Sequence, residues 1–199
     1  MKTKLLPIIF VFITLLSACS EPGEDVIPET PKFTFPDGWQ SITNHEEKIA
    51  FLQIPENILP KMSTEDLVEV CMTYPLGPEC FFYNDYQFGL ARVIDNFNGF
   101  AELKKRVSAF DKVLDYYGKE IDSMEKLTDS KELSSRSFQL SYDEQFIISG
   151  YLLPVELLKD SKKLINLYYK SLKLRESKDL GGQASINTLN AMKQVLNLE

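Results

Sequence analysis

Residues 82–118 read FYNDYQFGLARVIDNFNGFAELKKRVSAFDKVLDYYG. Apolar side chains recur in this stretch at intervals of three and four, the spacing that lines one face of an α-helix. In chain order they are Phe82, Tyr86, Leu90, Val93, Phe97, Phe100, Leu103, Val107, Phe110, Leu114 and Tyr117. Asn98-Gly99 interrupts the pattern, so we predict two helices, with Asn98 capping the second and Gly118 ending it. The short link between them favours an antiparallel helical hairpin.

Helix signals extend to both sides of this hairpin. Asn44 and Ser63 each precede acidic residues, as helix N-caps do. Further along, Ser134-Ser135-Arg136-Ser137 predicts a loop, because serine is a poor helix former. Ser141, followed by Asp143 and Glu144, predicts the N-cap of another helix.

The broadest apolar stripe lies between Leu157 and Leu172, and its width predicts the central core helix. Gly181-Gly182 would end that helix, and Ser185 would cap a final one. No segment shows the sustained alternation of a half-buried strand. Residues 41–199 are therefore predicted to form one all-α domain, either an irregular multi-helix bundle or a short stack of αα-hairpins.

The first 18 residues have the layout of a secretory signal peptide. Lys2 and Lys4 precede an apolar run over 5–16, which is too short for a comfortable bilayer span. Residues 16–19, Leu-Ser-Ala-Cys, resemble the bacterial lipobox. The resemblance implies that Cys19 becomes an acylated N-terminus, held in the outer membrane by palmitate-type chains. An ordinary signal peptide cut near Ala18 is the alternative.

Residues 19–40 predict a flexible tether. Their prolines favour an extended chain, and their acidic residues keep it solvated. Glu21 to Asp25 loosely resembles the surface-export signal of Bacteroidetes lipoproteins, so both a periplasmic and a surface-exposed location stay open. Phe33, Phe35 and Trp39 are expected to dock the end of the tether onto the domain. The alternative is that they form a small exposed aromatic patch.

The net negative charge of the chain limits the classes of partner that we expect it to bind. The chain has 22 Lys and Arg against 29 Asp and Glu, a formal net charge of -7. Loss of the two leader lysines would take the charge to about -9. Nucleic-acid binding is not expected, because phosphate contacts need a basic surface. An acidic domain is also not attracted to anionic lipid, so membrane contact would come from the acyl chains alone.

Cys71 and Cys80 are an even pair that remains after lipidation of Cys19. In an oxidising compartment they could form a disulfide. The alternative is two buried free thiols, since cysteine is among the most buried residue types. These two cysteines and the sole histidine, His45, are too few for a typical zinc site, so no metal is predicted.

Pairs of carboxylates are the only residues in this sequence that suggest an enzymatic reaction. Glu65 with Glu69, and Asp111 with Asp115, are spaced to share a helix face. Two such acids could hydrolyse a glycosidic bond. A solvated helix face explains them without any substrate. The chain has no nucleophile-elbow, Rossmann or P-loop pattern, so we expect a non-catalytic protein without a cofactor.

Residues 81–87 hold the densest aromatic cluster and a candidate ligand patch. Its members are Phe81, Tyr83, Asn84, Tyr86 and Gln87. Aromatic rings can stack on sugars while the amides bond their hydroxyls. The alternative is ordinary core packing, which aromatic residues at helical spacing commonly provide.

The run IPENILPKMSTEDLVEVCMTYPL, with FNGFAELKKR after it, resembles a family of uncharacterised predicted Bacteroidetes lipoproteins over roughly residues 45–115. The resemblance implies a lipoprotein with a helical domain and carries no activity or site residues. We therefore expect an outer-membrane lipoprotein that binds a protein or other partner. The alternatives are a glycan- or peptide-binding lipoprotein of a nutrient-uptake system, and a carboxylate hydrolase.

Overall fold

The structure, a computed structural model, describes residues 30–198. Within that range the chain forms α-helices and short 3-10 turns and no β-strand, so the predicted all-α fold is confirmed. The helices are α1 (His45–Phe51), α2 (Thr64–Met72), α3 (Tyr86–Asp95), α4 (Asn98–Leu103), α5 (Ala109–Glu125), α6 (Ser130–Ile148), α7 (Val155–Leu158), α8 (Lys162–Lys178) and α9 (Gln183–Val195). The predicted leader, Cys19 and the tether to residue 29 lie outside the described residues.

Helix α6 is the centre of the bundle. It packs against α3, α5, α9 and the 3-10 segment Gly77–Phe82. Every residue from Leu140 to Ile148 is buried. The prediction that the stripe over 157–172 forms the central helix is wrong. That stripe is divided between α7 and α8, and Leu157 and Tyr169 are each 51% exposed.

Two predictions made for the serines of α6 are wrong. Residues 134–137 do not form a loop, and Ser141 is not an N-cap, because all of them lie inside α6. The helix begins earlier, where the Asp129 side chain accepts a hydrogen bond from the backbone of Glu132. Contacts with α9 outweigh the weak helix propensity of serine: Ser137 Oγ and Ser185 Oγ are 3.1 Å apart.

Helix α9 also begins earlier than predicted. Gly182, rather than Ser185, is its N-cap residue, and Ser185 lies buried within the helix. The predicted break at Gly181-Gly182 is present between α8 and α9. The serine hydroxyl is thereby used for packing against α6 and not for capping.

The predicted helix over 100–117 is interrupted between α4 and α5. Arg106 lies in the interruption, where it donates to Glu102 Oε1 (3.0 Å) and to the Pro60 carbonyl (3.2 Å). Val107 is fully exposed. The break between α4 and α5 could not be predicted from the local spacing of apolar residues, because Arg106 bonds a carbonyl 46 residues away in sequence.

Asn98 has a long-range role instead of the predicted cap. Its side-chain amide bonds both backbone groups of Ile54, accepting at 3.1 Å and donating at 2.7 Å. Phe97 is the N-cap residue of α4, and no side chain caps it. By contrast, Asn44 and Ser63 cap α1 and α2 as predicted.

Gly118 lies within α5 and does not end the helix. A Cβ at this position would come 3.2 Å from Leu167 Cδ2. The glycine therefore lets α5 and α8 approach closely.

Every helix in the described part of the chain is too short or too polar to span a bilayer.

The aromatic residues at the start of the described chain pack on the helical body, so their predicted docking is confirmed. The ring centroids of Phe35 lie 5.8 Å from Phe97 and 5.9 Å from Tyr74. Phe33 meets Phe35 edge to face at 5.3 Å. Packed structure therefore begins before position 41.

Candidate functional site

The predicted ligand patch lies where the 3-10 segment Gly77–Phe82 meets α3. Helix α3 begins at Tyr86 because the Asp85 carboxylate accepts hydrogen bonds from the backbones of Gln87 and Phe88. The helix predicted to start near Phe82 therefore starts one turn later. The intervening residues form an extended corner that turns aromatic side chains outward.

Gly89 fixes how closely this corner packs on α3. A Cβ there would lie 2.4 Å from the Cys80 carbonyl oxygen and 2.7 Å from Tyr83 Cδ2. Only glycine fits such an approach without displacing backbone. The position of Tyr83 thus depends on a glycine on the neighbouring helix.

The structure divides the predicted patch into two aromatic groups. Phe81 contacts Tyr86 edge to face at 5.0 Å and Phe138 of α6 at 4.8 Å, measured between ring centroids. Tyr83 pairs with Phe88 at 5.6 Å. The sequence pattern had identified neither Phe88 nor Phe138 as part of the patch.

The two predicted amides have different environments. Gln87 Nε2 donates to Gln145 Oε1 at 2.6 Å, and Gln145 Nε2 donates to Thr188 Oγ1 at 3.0 Å. Gln87 therefore ties α3 to α6 and α9. Asn84 is exposed beside Tyr83.

Four aromatic side chains around this corner are substantially exposed, and we call them the aromatic surface. The exposed fractions are 83% for Phe82, 56% for Phe88, 40% for Phe138 and 38% for Tyr83. Single exposed apolar residues are normal on protein surfaces, whereas a cluster of them marks an interaction site, and three of these four lie within positions 82–88. Two of these rings border concave sites: Tyr83 lines a pocket of about 260 Å³ and Phe138 lines one of about 620 Å³.

A second unusual feature lies beneath the surface, on α6. The carboxylate of Glu144 is completely buried and forms an ion pair with Arg175 of α8 at 2.8 Å. It also accepts hydrogen bonds from the Tyr117 hydroxyl (2.6 Å) and the Ser171 hydroxyl (2.8 Å). The sequence pattern predicts Glu144 in the first turn of a helix and gives no signal for Arg175, whereas the structure places Glu144 near the C-terminal end of α6.

Asp143, next to Glu144, is buried without a cation of its own. Gln139 donates to its Oδ1 at 3.2 Å, and its Oδ2 has no hydrogen-bond partner among the described residues. Burial raises the pKa of this carboxyl well above its ordinary value, and the nearby Glu120 and Glu144 raise it further.

Three of the four carboxylates considered for hydrolysis, Glu65, Glu69 and Asp115, line a groove of about 680 Å³ between α2, α5 and α8. Lys112 bonds Glu65, and this hydrogen bond holds the pKa of Glu65 below its ordinary value. Lys163 bonds Asp115 at 2.6 Å and lowers its pKa in the same way. Acid catalysis needs a carboxyl whose pKa is raised, so these ion pairs oppose that chemistry.

Cys71 and Cys80 are both buried, and both are free thiols in this structure. Burial raises the pKa of Cys80 to about 12 and that of Cys71 well above its ordinary value. Neither thiol is poised to act as a nucleophile, because the reactive form is the thiolate. Within residues 30–198, His, Cys, Asp and Glu form no cluster that could hold a metal ion.

The chain matches no protein-family model, and it matches neither a curated protein nor a solved structure.

Proposed function

We propose that this protein is a lipid-anchored, non-catalytic binding module of the outer membrane, periplasmic or surface-exposed, and that its aromatic surface binds a protein partner. The observation that carries the proposal is the exposure of Phe82 and Phe88, which are 83% and 56% accessible. Covering such rings releases water from a large apolar area. Exposed aromatic residues of this kind are typical of the energetic centres of protein interfaces.

A glycan partner is the second candidate. Its support is the Tyr83–Phe88 pair with the exposed amide of Asn84 beside it. The other predicted contacts are less suited to a sugar. Gln87 is already bonded to Gln145, and Tyr86 packs against Phe81. The protein partner is preferred because the exposed aromatic residues extend from Phe88 on α3 to Phe138 on α6.

The proposed anchor is the acylated Cys19, which precedes the packed residues by a short acidic and proline-containing segment. Several acyl chains on one residue give stable attachment, whereas one chain gives marginal binding. We expect Cys19→Ala to move the protein from the membrane fraction to the soluble fraction of the envelope. Membrane retention of that variant would contradict the anchor, and incorporation of labelled palmitate into the unchanged chain is the direct readout.

The binding role is tested by a double substitution, Phe82→Ser with Phe88→Ser, in the lipidated protein. These side chains contribute little to the core, so folding should be retained and partner binding lost. The matched control is Leu157→Ser with Val107→Ser, which removes two exposed apolar side chains elsewhere. Quantitative co-purification from envelope extracts should lose a defined protein only with the first pair. Equal recovery with both pairs would contradict the proposal.

A glycan array run with the same two variants separates the candidates. Array binding that depends on Tyr83 and Phe88 would favour the sugar, while no hit together with a lost protein band would favour the protein partner.

A further inference from the structure

The pocket of about 260 Å³ that Tyr83 borders lies where α1, the 3-10 segment Gly77–Phe82 and α3 meet, and we call it the polar pocket. Its polar lining residues are His45, Glu46, Glu79, Tyr83, Arg92 and Asn96. Most of its exposed lining is polar, whereas the larger sites of about 680 and 620 Å³ expose more apolar than polar surface. The polar pocket therefore suits a ligand that is held by charge and hydrogen bonds.

The walls of the polar pocket are fixed to one another. Gln53 Nε2 donates to the Ile49 carbonyl of α1 at 2.7 Å and to the Asn96 carbonyl, at the end of α3, at 2.9 Å. The 3-10 segment packs tightly on α3 at Gly89. The pocket thus exists without a ligand, as small-molecule sites usually do.

Charged groups of both signs line the polar pocket without contacting each other. The guanidinium nitrogens of Arg92 lie more than 4.0 Å from every carboxylate of residues 30–198, and Glu46 is likewise without a cation within that distance. Glu79 Oε2 lies 3.8 Å from His45 Nε2, which is too far for a hydrogen bond. These charges are therefore available to a ligand, whereas three carboxylates of the 680 Å³ groove are already bonded by lysines.

A ligand with a single charge would be repelled by part of this lining. An anion attracted to Arg92 would meet Glu46 and Glu79, and an amine attracted to the two glutamates would meet Arg92. A molecule that carries both an ammonium and a carboxylate can satisfy both signs. The volume of about 260 Å³ is below the roughly 300–1,000 Å³ of sites for drug-sized ligands, so the molecule must be small.

We propose that the polar pocket binds a free α-amino acid with a small apolar side chain. The carboxylate would accept hydrogen bonds from Arg92 and from the side-chain amide of Asn96, which lies one helical turn further along the same face. The ammonium would donate to the Glu79 carboxylate, and the apolar side chain would contact Ile49 and Val93, which also line the pocket. This inference does not rest on the function proposed for the aromatic surface.

Three probes of similar shape test the proposal on the full chain. Leucine carries both charged groups, isocaproate lacks the ammonium, and isoamylamine lacks the carboxylate. In two-dimensional NMR titrations at neutral pH, we expect leucine to give saturable shifts of amides in α1, in α3 and in Gly77–Phe82. Each analogue should bind about tenfold or more weakly than leucine, because it has lost one set of charge-assisted hydrogen bonds.

Two variants test which residue recognises which group. Arg92→Gln should weaken leucine binding by about tenfold or more and abolish the preference for leucine over isoamylamine. Glu79→Gln should weaken leucine binding to a similar extent and abolish the preference for leucine over isocaproate. The matched controls are Lys131→Gln and Glu132→Gln, which neutralise exposed charges outside the pocket and should change leucine binding by less than about twofold.

Absence of saturable shifts up to the solubility of leucine would overturn the site. Equal affinities for leucine and either analogue would overturn the recognition of both charges. Leucine binding that is unchanged in Arg92→Gln or in Glu79→Gln would overturn the placement of the ligand. None of these results bears on the partner test at Phe82 and Phe88, because neither ring lines the polar pocket.

Discussion

The buried ion pair of Glu144 with Arg175 joins α6 to α8, and it is held together by surrounding hydroxyls. Removing two charges from water costs several kcal/mol per ion, and that cost is offset only when the geometry and the additional hydrogen bonds are good. Here the carboxylate is bonded by Tyr117 and Ser171 as well as by the guanidinium. The carboxylate therefore links α6 to Arg175 of α8 and to Tyr117 of α5.

Arg175→Met should be strongly destabilising, because it leaves the Glu144 carboxylate buried without a cation. We expect the free energy of unfolding to fall by about 3–5 kcal/mol. Urea denaturation at pH 7 measures this. The double variant Arg175→Met with Glu144→Leu should recover much of the loss. A single variant within about 1 kcal/mol of the unchanged protein would contradict the role given to the pair.

Asp143 makes stability depend on pH. Its pKa is higher in the folded protein than in the unfolded chain, because burial disfavours the charged form. Above the unfolded value of about 4, the folded state therefore binds more protons, and stability falls as the pH rises toward the folded pKa. The slope from this group is at most about 1.4 kcal/mol per pH unit.

Asp143→Asn removes that titration. Relative to the unchanged protein, the variant should gain stability between pH 4 and pH 7, as measured by urea denaturation at both values. A difference between the two proteins that is constant over this range would contradict the raised pKa.

At the scale of secondary-structure elements, the close contact of α3 with Gly77–Phe82 sets the shape of the aromatic surface. Gly89→Ala should destabilise the protein by about 1–3 kcal/mol, because its Cβ would overlap the Cys80 carbonyl. The matched control is Gly181→Ala, where a Cβ meets nothing within 4 Å. Thermal unfolding compares the two. Equal midpoints would show that α3 is not packed in this way.

Helix ends that are set by a cap residue close by in the sequence could be predicted. Helix ends that depend on contacts with residues distant in the sequence could not. The caps at Asn44 and Ser63 use side chains three residues from the groups they bond. The serines of α6 resembled a loop because their helical role depends on Ser185, 48 residues beyond Ser137. Asp143 and Glu144 resembled the first turn of a helix because the cation that meets Glu144 lies 31 residues further on in the sequence.

The candidate ligand patch, too, was predicted only where its residues are close together in the sequence. The aromatic cluster at residues 81–87 was visible because its members are adjacent in sequence. Phe138 could not be included, since it reaches Phe81 only through the packing of α6 on Gly77–Phe82. Gln87 was assigned to a ligand because its actual partner, Gln145, is 58 residues away.

In the whole molecule, the buried charged residues lie in the core, whereas the groove carboxylates and the aromatic surface lie on the outside. Asp143 and Glu144 of α6 are enclosed, and three carboxylates of the surface groove, Glu65, Asp115 and Asp122, are paired with lysines. The aromatic surface has no such internal partners for its most exposed rings, Phe82 and Phe88. We therefore propose that a partner binds at this surface.

Site-specific photocrosslinking in living cells tests that claim most directly. A photoreactive p-benzoylphenylalanine would replace Phe88 in the lipidated protein, and a parallel strain would carry it at Leu157, which has a similar exposed fraction of 51% against 56%. After irradiation, we predict a discrete crosslinked protein band from position 88 and none from position 157. The same bands from both positions, or no band from position 88, would contradict the claim.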